Sequence, residues 1–355
     1  MSNSPSLGFG GLLIGLGVGW FIFTTFDVSS NLFAWLMIIG GAAVIVSSLV
    51  SRTRFGRRTG GLVGGVIGGI ILSLFITTGF GFIDLFAGGS LGTYRAETTE
   101  SFTGAMTADS VYLSVDNFNG PISVSTWDRS EFSVELLIKA KGTTTSQAER
   151  NLEDFVIDFD ESVVQGQGRL VLGYGIPVTS YNKYSVQVEV FLPADAVIDL
   201  ELESSNGAMS LKDVVGGEIQ LDTSNGAFTF DNVYAESINA ETSNGAISGD
   251  LEAPDTYIST SNGAIDLTLP CTVTGEYVLR TSNGQVDLSV SSSSDVGYDL
   301  DASTSTGVVS IGLPNLEYSV NQRTSKEART VGFEGKEIQI TIDVSTSNGN
   351  VDVDD

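Results

Sequence analysis

The chain has 355 residues, a net charge of −26, one cysteine and no histidine. Such an acidic chain repels the phosphate backbone of nucleic acids, and a single cysteine excludes an intramolecular disulfide. Without histidine the chain lacks the commonest general base and metal ligand of enzyme sites, so its composition disfavours catalysis.

Three apolar stretches occupy the start of the chain, at about residues 7–26, 32–50 and 60–83. Each reaches the ~20 residues that a helix needs to cross a bilayer core. Residues 1–86 contain four arginines and only two acidic residues, so nearly all of the negative charge lies further on. We therefore predict a unit of three transmembrane helices over residues 1–86, followed by a Gly/Ser/Thr-rich linker over residues 87–100.

The orientation of this unit follows from its arginines. All four lie in the connection Ser51–Thr59, whereas the connection Asp27–Asn31 has none. The positive-inside rule places the arginine loop and the N-terminus in the cytoplasm. We therefore expect a multi-pass protein of the cell membrane whose C-terminal β domain is extracellular.

Glycines recur four residues apart in the first and third predicted spans. Small residues at this spacing let helix backbones approach closely. The bilayer is the first expected partner. The glycine faces can pack within the three-helix unit or join two copies of the chain as a homo-oligomer.

From Ser101 onwards apolar and polar residues alternate, which predicts half-buried strands. Ser146-Gln-Ala-Glu149 has the form of a helix capping box. We predict a β-rich cap segment over residues 101–199 with one helix near 146–155, covering a sheet edge or one end of the fold.

A Ser-Asn-Gly turn recurs about every 20 residues from Leu200 onwards. Its asparagines are Asn206, Asn225, Asn244, Asn262, Asn283 and Asn348, and Thr306 takes their place once. A fixed period of this length is typical of stacked repeats. Apolar residues four before and three after the turn asparagine predict two short strands flanking a corner. The fold class is thus mainly β, with a β-solenoid of about seven rungs over residues 200–355.

Chain order predicts how these rungs stack. One degenerate copy is expected near Arg323–Thr330, between the rungs of Thr306 and Asn348. The last strand, Val351–Asp355, should then lie at the open end, where its aspartates would oppose stacking of another chain.

The turn itself has a structural interpretation. Strand parity places the Thr two residues before the asparagine, and the asparagine too, on the inner side of the corner. Rungs of a sheet lie ~4.8 Å apart, so identical amides can form a hydrogen-bonded ladder. The glycine after each asparagine is expected to supply a positive φ at a sharp corner.

A second column, four residues after the asparagine, is expected to point outwards. Its residues are Ser210, Thr229, Ser248, Asp266, Asp287, Ser310 and Asp352. We predict this column as the binding face, since no catalytic or cofactor-binding residues stand out. Rows of carboxylates ~5 Å apart can bind Ca²⁺; the alternative is a solvated acidic face.

Three features resemble the DUF4097 family, an adhesin-like family of β-strand repeats: the opening Asp116–Trp127, the strand Val188–Pro193, and the Ser-Asn-Gly-Ala run. The resemblance implies a β-helix-like domain on the outer cell surface and no catalytic residues. Some relatives are linked to envelope-stress systems.

These observations favour a non-enzymatic surface protein that acts in adhesion, as an envelope scaffold, or by binding a cell-surface polymer or envelope protein. An alternative is an envelope-stress sensor that signals through its transmembrane unit. A polysaccharide-active enzyme on a β-helix is disfavoured, because such chemistry needs a defined pair of acids and no pair stands out.

Overall fold

A computed structural model describes residues 94–355. The three predicted transmembrane helices and the first half of the predicted linker lie outside the described residues. Within residues 94–355 no helix is both long enough and apolar enough to span a membrane. Arg95–Lys141 and Ser146–Asp355 form one compact unit.

The described residues are dominated by strands. In chain order these are β1 (Tyr94–Ala105), β2 (Ser110–Asn119), β3 (Ile122–Trp127), β4 (Glu131–Gly142), β5 (Ile157–Val164), β6 (Gln167–Tyr174), β7 (Tyr184–Pro193), β8 (Val197–Asn206), β9 (Met209–Lys212), β10 (Gly216–Thr223), β11 (Phe228–Tyr234), β12 (Ser237–Thr242), β13 (Ile247–Glu252), β14 (Asp255–Thr260), β15 (Ile265–Leu269), β16 (Gly275–Asn283), β17 (Val286–Val290), β18 (Val296–Thr304), β19 (Val309–Ile311), β20 (Leu316–Asn321), β21 (Ser325–Thr330), β22 (Ile338–Asn348) and β23 (Val351–Asp354). One α-helix, α1 (Thr145–Glu153), and two 3₁₀ turns, Val178–Lys183 and Phe333–Gly335, complete the described elements.

These strands form two sheets. Sheet A has the order β1-β4-β7-β3-β9-β11-β13-β15-β17-β23-β19, and sheet B has the order β20-β21-β18-β22-β16-β14-β12-β10-β8-β2-β6-β5. Antiparallel pairing occurs near the ends, for example between β4 and β7 and between β18 and β21. The pairs between these ends are parallel, as expected of a solenoid.

A rung consists of one sheet B strand and the sheet A strand that follows it in the chain. Nine rungs stack in the order β6/β7, β2/β3, β8/β9, β10/β11, β12/β13, β14/β15, β16/β17, β22/β23 and β18/β19. Seven of them lie between Val197 and Asp354. The fold is therefore mainly β, with the long parallel sheets of a solenoid.

The order of the rungs departs from chain order at both ends of the stack. Rung β2/β3 is paired on one side with β6/β7, which follows it in the chain. At the other end β22/β23 lies between β16/β17 and β18/β19. The expectation that Val351–Asp355 forms the open end is wrong, since β23 has a neighbour on each side.

The predicted degenerate rung near Arg323–Thr330 is also corrected. Residues 316–330 form an antiparallel hairpin, β20–β21, whose second strand pairs with β18. The apolar alternation of this stretch fits a hairpin as well as a rung, because both have a period of two.

The core lies between the two sheets and runs the length of the stack. Along each rung, side chains alternate between buried and exposed, as in β10 and β15. The column four residues before the turn asparagine is buried throughout; it comprises Leu202, Leu221, Ala240, Ile258, Leu279, Ala302 and Val344. Full burial of a Leu, Ile, Val or Phe contributes about 1.5–3 kcal/mol, so these columns hold the sheets together.

Aromatic rings fill the end of the stack that carries β1 and β5, which we call the first end. Phe102 of β1 stacks on Phe159 of β5 with centroids 4.5 Å apart, and Phe132 of β4 lies 6.1 Å from Phe159. Nearby, Asn151 of α1 donates from Nδ2 to the Lys141 carbonyl at 2.6 Å, and the Tyr184 hydroxyl donates to the Asn151 carbonyl at 2.8 Å. The helix thus packs at the ends of β4 and β7.

Candidate binding surface

The corner of each rung is fixed first by its threonine, which points inwards as parity predicts. Thr260 Oγ1 donates to the Gly245 carbonyl of the preceding rung at 2.9 Å, and Thr304 Oγ1 donates to the Gly349 carbonyl at 2.8 Å. Both threonines are buried. The exception is Ser204, whose buried hydroxyl has no hydrogen-bond partner among the described residues.

The glycine of each corner is required by close stacking. A Cβ on Gly245 would lie 1.8 Å from the Gly226 carbonyl oxygen, and one on Gly263 would lie 1.8 Å from that of Gly245. Among the corner glycines only Gly120 has a positive φ, of 121°. The expected reason for the glycines, a left-handed backbone, is therefore wrong for the repeats, where each rung sits too close to its neighbour for a side chain.

The turn asparagines form a continuous ladder. Each Nδ2 donates to the Oδ1 of the asparagine one rung before it, at 2.8 to 2.9 Å. The chain of donors runs Asn348, Asn283, Asn262, Asn244, Asn225 and Asn206, with Asn119 as the last acceptor. The expectation that these side chains face inwards is wrong, because all six predicted ladder asparagines are exposed. The chain bends outwards immediately after the buried threonine, which ends the alternation.

Both ends of the ladder are closed by other groups. Asn119 Nδ2 donates to the carbonyls of Tyr181 and Tyr184, at 3.1 and 3.4 Å. At the other end Thr306 Oγ1 donates to Asn348 Oδ1 at 3.3 Å. The ladder therefore explains the repeated turn as a structural element.

The predicted outward column forms a row across sheet A, which we call the sheet A row. Strand register places its members side by side in the order Ser210, Thr229, Ser248, Asp266, Asp287, Asp352 and Ser310. All are exposed or half-buried. Ser123 and Glu189 extend the row towards the first end, and sequence reasoning missed them because they precede the regular repeat.

The row changes chemically along its length. Hydroxyl groups occupy the stretch from Ser123 to Ser248, three adjacent aspartates, Asp266, Asp287 and Asp352, follow, and Ser310 ends the row. Partial burial raises the pKa of the Asp287 carboxyl, and the charges of Asp266 and Asp352 raise it further. A hydrogen bond from Gln285 Nε2 at 2.6 Å opposes this rise.

Sheet B carries a second acidic row. Asp116, Glu203, Asp222 and Glu241 lie side by side on adjacent strands. Burial raises the pKa of the Glu203 carboxyl, and the nearby charges of Asp116, Glu201 and Asp222 raise it further. Both outer faces therefore favour cationic groups over anionic ones.

The carboxylates do not converge on a metal site. Within residues 94–355 no group of three or more His, Cys, Asp or Glu side chains is placed to hold a metal ion. The rows run along a flat face, whereas Ca²⁺ takes six to eight oxygen ligands around one point. The geometry gives no support to the calcium interpretation.

Two shallow grooves among residues 94–355 lie towards the ends of the stack. A groove of about 560 Å³ on the β20–β21 hairpin is lined by Asp299, Asp301, Tyr318, Glu327 and Arg329, among others. A smaller one, of about 230 Å³, lies beside Trp127 and Arg129. Neither groove is lined by residues of the sheet A row.

The family model for Toastrack DUF4097 matches the chain twice, over residues 112–270 and 196–354. Together the matches span more than half of the chain. The chain belongs to the Toastrack DUF4097 family. The Toastrack region thus covers β2 to β23, including both rows and the whole asparagine ladder, and its two overlapping matches reflect the internal repeat.

Several solved structures are similar to this Toastrack chain. A candidate cell adhesion protein from Clostridium sporogenes is 10% identical, with 72% of this chain and 99% of that chain covered and a TM-score of 0.33. A candidate adhesin from Parabacteroides merdae is 11% identical, with 72% and 95% covered and a TM-score of 0.32. A candidate lipid binding protein from Parabacteroides distasonis is 10% identical, with 72% and 96% covered and a TM-score of 0.31. No curated protein matches the chain.

Proposed function

We propose that this protein is a non-enzymatic adhesion or binding module, anchored in the cell membrane with its Toastrack region outside the cell. The observation that carries the proposal is the sheet A row, in which polar side chains from adjacent strands share one flat, rigid face. The expected partner is an extended cell-surface polymer or envelope protein. Anchoring rests on the three apolar stretches before residue 84 and on their arginine loop.

The geometry of the row suits repeated weak contacts. Each rung contributes one hydroxyl or carboxylate, spaced ~4.8 Å from the next. Linked contacts of this kind gain strength from effective concentration, even when each is weak. The carboxylate stretch, Asp266, Asp287 and Asp352, favours a partner that carries basic groups.

The test uses the full chain reconstituted in neutral phosphatidylcholine vesicles. We expect capture of these vesicles on beads coated with polylysine, and weaker capture as the salt concentration rises. Changing Asp266, Asp287 and Asp352 to Asn should lower capture several-fold more than a matched change of Glu203, Asp222 and Glu241 to their amides. The matched variant removes the same number of charges from sheet B.

Two results would contradict the proposal. If vesicles that carry the full chain are never captured on the polylysine beads, the proposed binding function is wrong. Equal losses in the two triple variants would show that net charge alone drives capture, and that sheet A is not the contact surface.

A further inference from the structure

The last strand pair of the chain, β22 and β23, fills a slot between two rungs that are formed earlier in the chain. We call residues 338–354 the C-terminal arm. Val344 of the arm lies between Leu279 of β16 and Ala302 of β18, and Val353 lies between Leu288 of β17 and Ile311 of β19. The arm therefore lies between two rungs that earlier parts of the chain form.

The arm makes close contacts with both of these rungs. Arg280 of β16 forms a bidentate ion pair with Asp343 of the arm. Thr346 Oγ1 donates to the Gly284 carbonyl at 2.9 Å. From the other rung, Thr304 Oγ1 donates to the Gly349 carbonyl at 2.8 Å. An arm from another copy of the chain would find the same groups in the same places.

The slot is selective for its own corner sequence. A Cβ on Gly349 would lie 1.9 Å from the Gly284 carbonyl oxygen, and a Cβ on Gly307 would lie 1.7 Å from that of Gly349. The asparagine before the glycine must also continue the ladder, as Asn348 does with Asn283 at 2.8 Å. A strand with a side chain in place of the corner glycine would not fit, and the arm of a second copy carries this glycine.

A surface strap joins the arm to the rest of the chain. Residues 331–337 connect β21 to β22. These two strands lie on opposite sides of β18 in sheet B, so the strap crosses over β18. Gly332 has a φ of 73°, and a Cβ on Gly332 or Gly335 would meet nothing within 4 Å. Val331 is 54% exposed, while Phe333 is buried and holds the strap in place. Opening of the strap would release Phe333 and the hydrogen bond from Lys336 Nζ to the Ser294 carbonyl.

We propose that this slot accepts the C-terminal arm of a second copy, so that two chains exchange arms and are held together. Exchange conserves the contacts of the arm, and its cost is confined to the strap and to association. The slot lies near the end of the stack opposite β1. The inference rests on the proposed adhesion function, to which it adds a partner.

Two single variants of the full chain test exchange directly. Ser303 and Ser345 are neighbours across β18 and β22, and both are half-buried and outward-facing. A mixture of Ser303→Cys chains with Ser345→Cys chains can form the 303–345 disulfide only when the arm of one chain fills the slot of another. We expect a dimer band on a non-reducing gel, growing with protein concentration and with brief warming.

Two controls make either result decisive. The double variant Ser303→Cys, Ser345→Cys should form the bond within one chain, which proves that the geometry permits it. A mixture of Glu241→Cys with Ser259→Cys, neighbours on β12 and β14 away from the arm, should give no dimer. No 303–345 dimer from the mixture, while the double variant closes within one chain, would overturn the proposal, as would equal dimer yields from both mixtures.

A vesicle assay separates this inference from the proposed function. Oxidising the double variant locks each arm in its own slot. We expect such vesicles to lose clustering with one another at least several-fold and to keep their capture on polylysine. Clustering that is unchanged by the lock would overturn arm exchange, whereas loss of polylysine capture by the unmodified chain would count against the proposed function alone.

Discussion

Asn348 donates a hydrogen bond from Nδ2 to Oδ1 of Asn283 at 2.8 Å, although 65 residues separate them in the chain. Thr306, which lies between them in sequence, instead donates to Asn348 from the far side. The hydrogen bonds of the ladder therefore follow the spatial order of the rungs and not their order in the chain. It shows that the last rung of the chain is the second-to-last rung of the stack.

The ladder predicts a graded loss of stability. Asn244→Ala removes two hydrogen bonds between side-chain amides, one donated to Asn225 and one accepted from Asn262. Because the ladder is exposed and each such bond contributes about 0.5–1.5 kcal/mol net, the expected loss is about 1–2 kcal/mol. Urea unfolding of the full chain in detergent, followed by circular dichroism, measures it. Thr306→Ala, at the ladder's end, should cost less, and equal losses would contradict a role for the continuous ladder.

Much of this fold follows from the sequence, because its repeat places the same residue type at the same point of every rung. The inward columns and the outward row need only the period of two and the turn. The stacking order does not follow, since equivalent rungs can pair in any order. One signal was present: Thr306 breaks the asparagine column, as expected of a rung at the end of the ladder.

The candidate surface was predictable to a similar extent. The column from Ser210 to Asp352 follows from spacing, but the adjacency of Asp287 and Asp352 depends on the inserted arm. Ser123 and Glu189 belong to rungs that lack the regular spacing. Exposure of the asparagines was missed because strand parity ends where the backbone turns.

Close stacking predicts that the corner glycines tolerate no side chain. Gly245→Ala would place a Cβ 1.8 Å from the Gly226 carbonyl oxygen, so adjacent corners must move apart. Such overpacking costs about 1–3 kcal/mol or more. Gly173→Ala is the matched control, since a Cβ there meets nothing within 4 Å. The midpoint of urea unfolding should fall for the first variant only, and equal midpoints would refute the stacking argument.

The buried hydroxyls of the corners predict opposite outcomes at two positions. Thr260→Val removes the donor to the Gly245 carbonyl while keeping the side chain's shape, and should cost about 1–3 kcal/mol. Ser204→Ala should be neutral or stabilising, because the Ser204 hydroxyl is buried without a partner among the described residues. Thermal unfolding of the two variants beside the parent chain compares them. A loss for Ser204→Ala as large as that for Thr260→Val would show that Ser204 has a bonding role.

The aspartates of the sheet A row predict how stability depends on pH. The raised pKa of Asp287 means that the folded chain binds its proton more tightly than the unfolded chain, whose Asp pKa is about 3.9. The contribution of Asp287 to the free energy of unfolding therefore rises as the pH falls from above its pKa in the folded chain towards about 4. Asp287→Asn should raise stability at neutral pH and flatten this rise.

Asp231→Asn is the control for that experiment, since Asp231 is ion-paired with Lys212 instead of lying between two carboxylates. It should not raise stability at neutral pH. Unfolding midpoints of both variants and the parent chain, measured from pH 7 to pH 4, give the comparison. If Asp287→Asn follows the parent curve throughout, the three stacked aspartates do not repel one another appreciably in the folded chain. The sheet A row would then present its carboxylates to a partner without stored repulsion, and binding of a basic partner should not relieve any strain at Asp287.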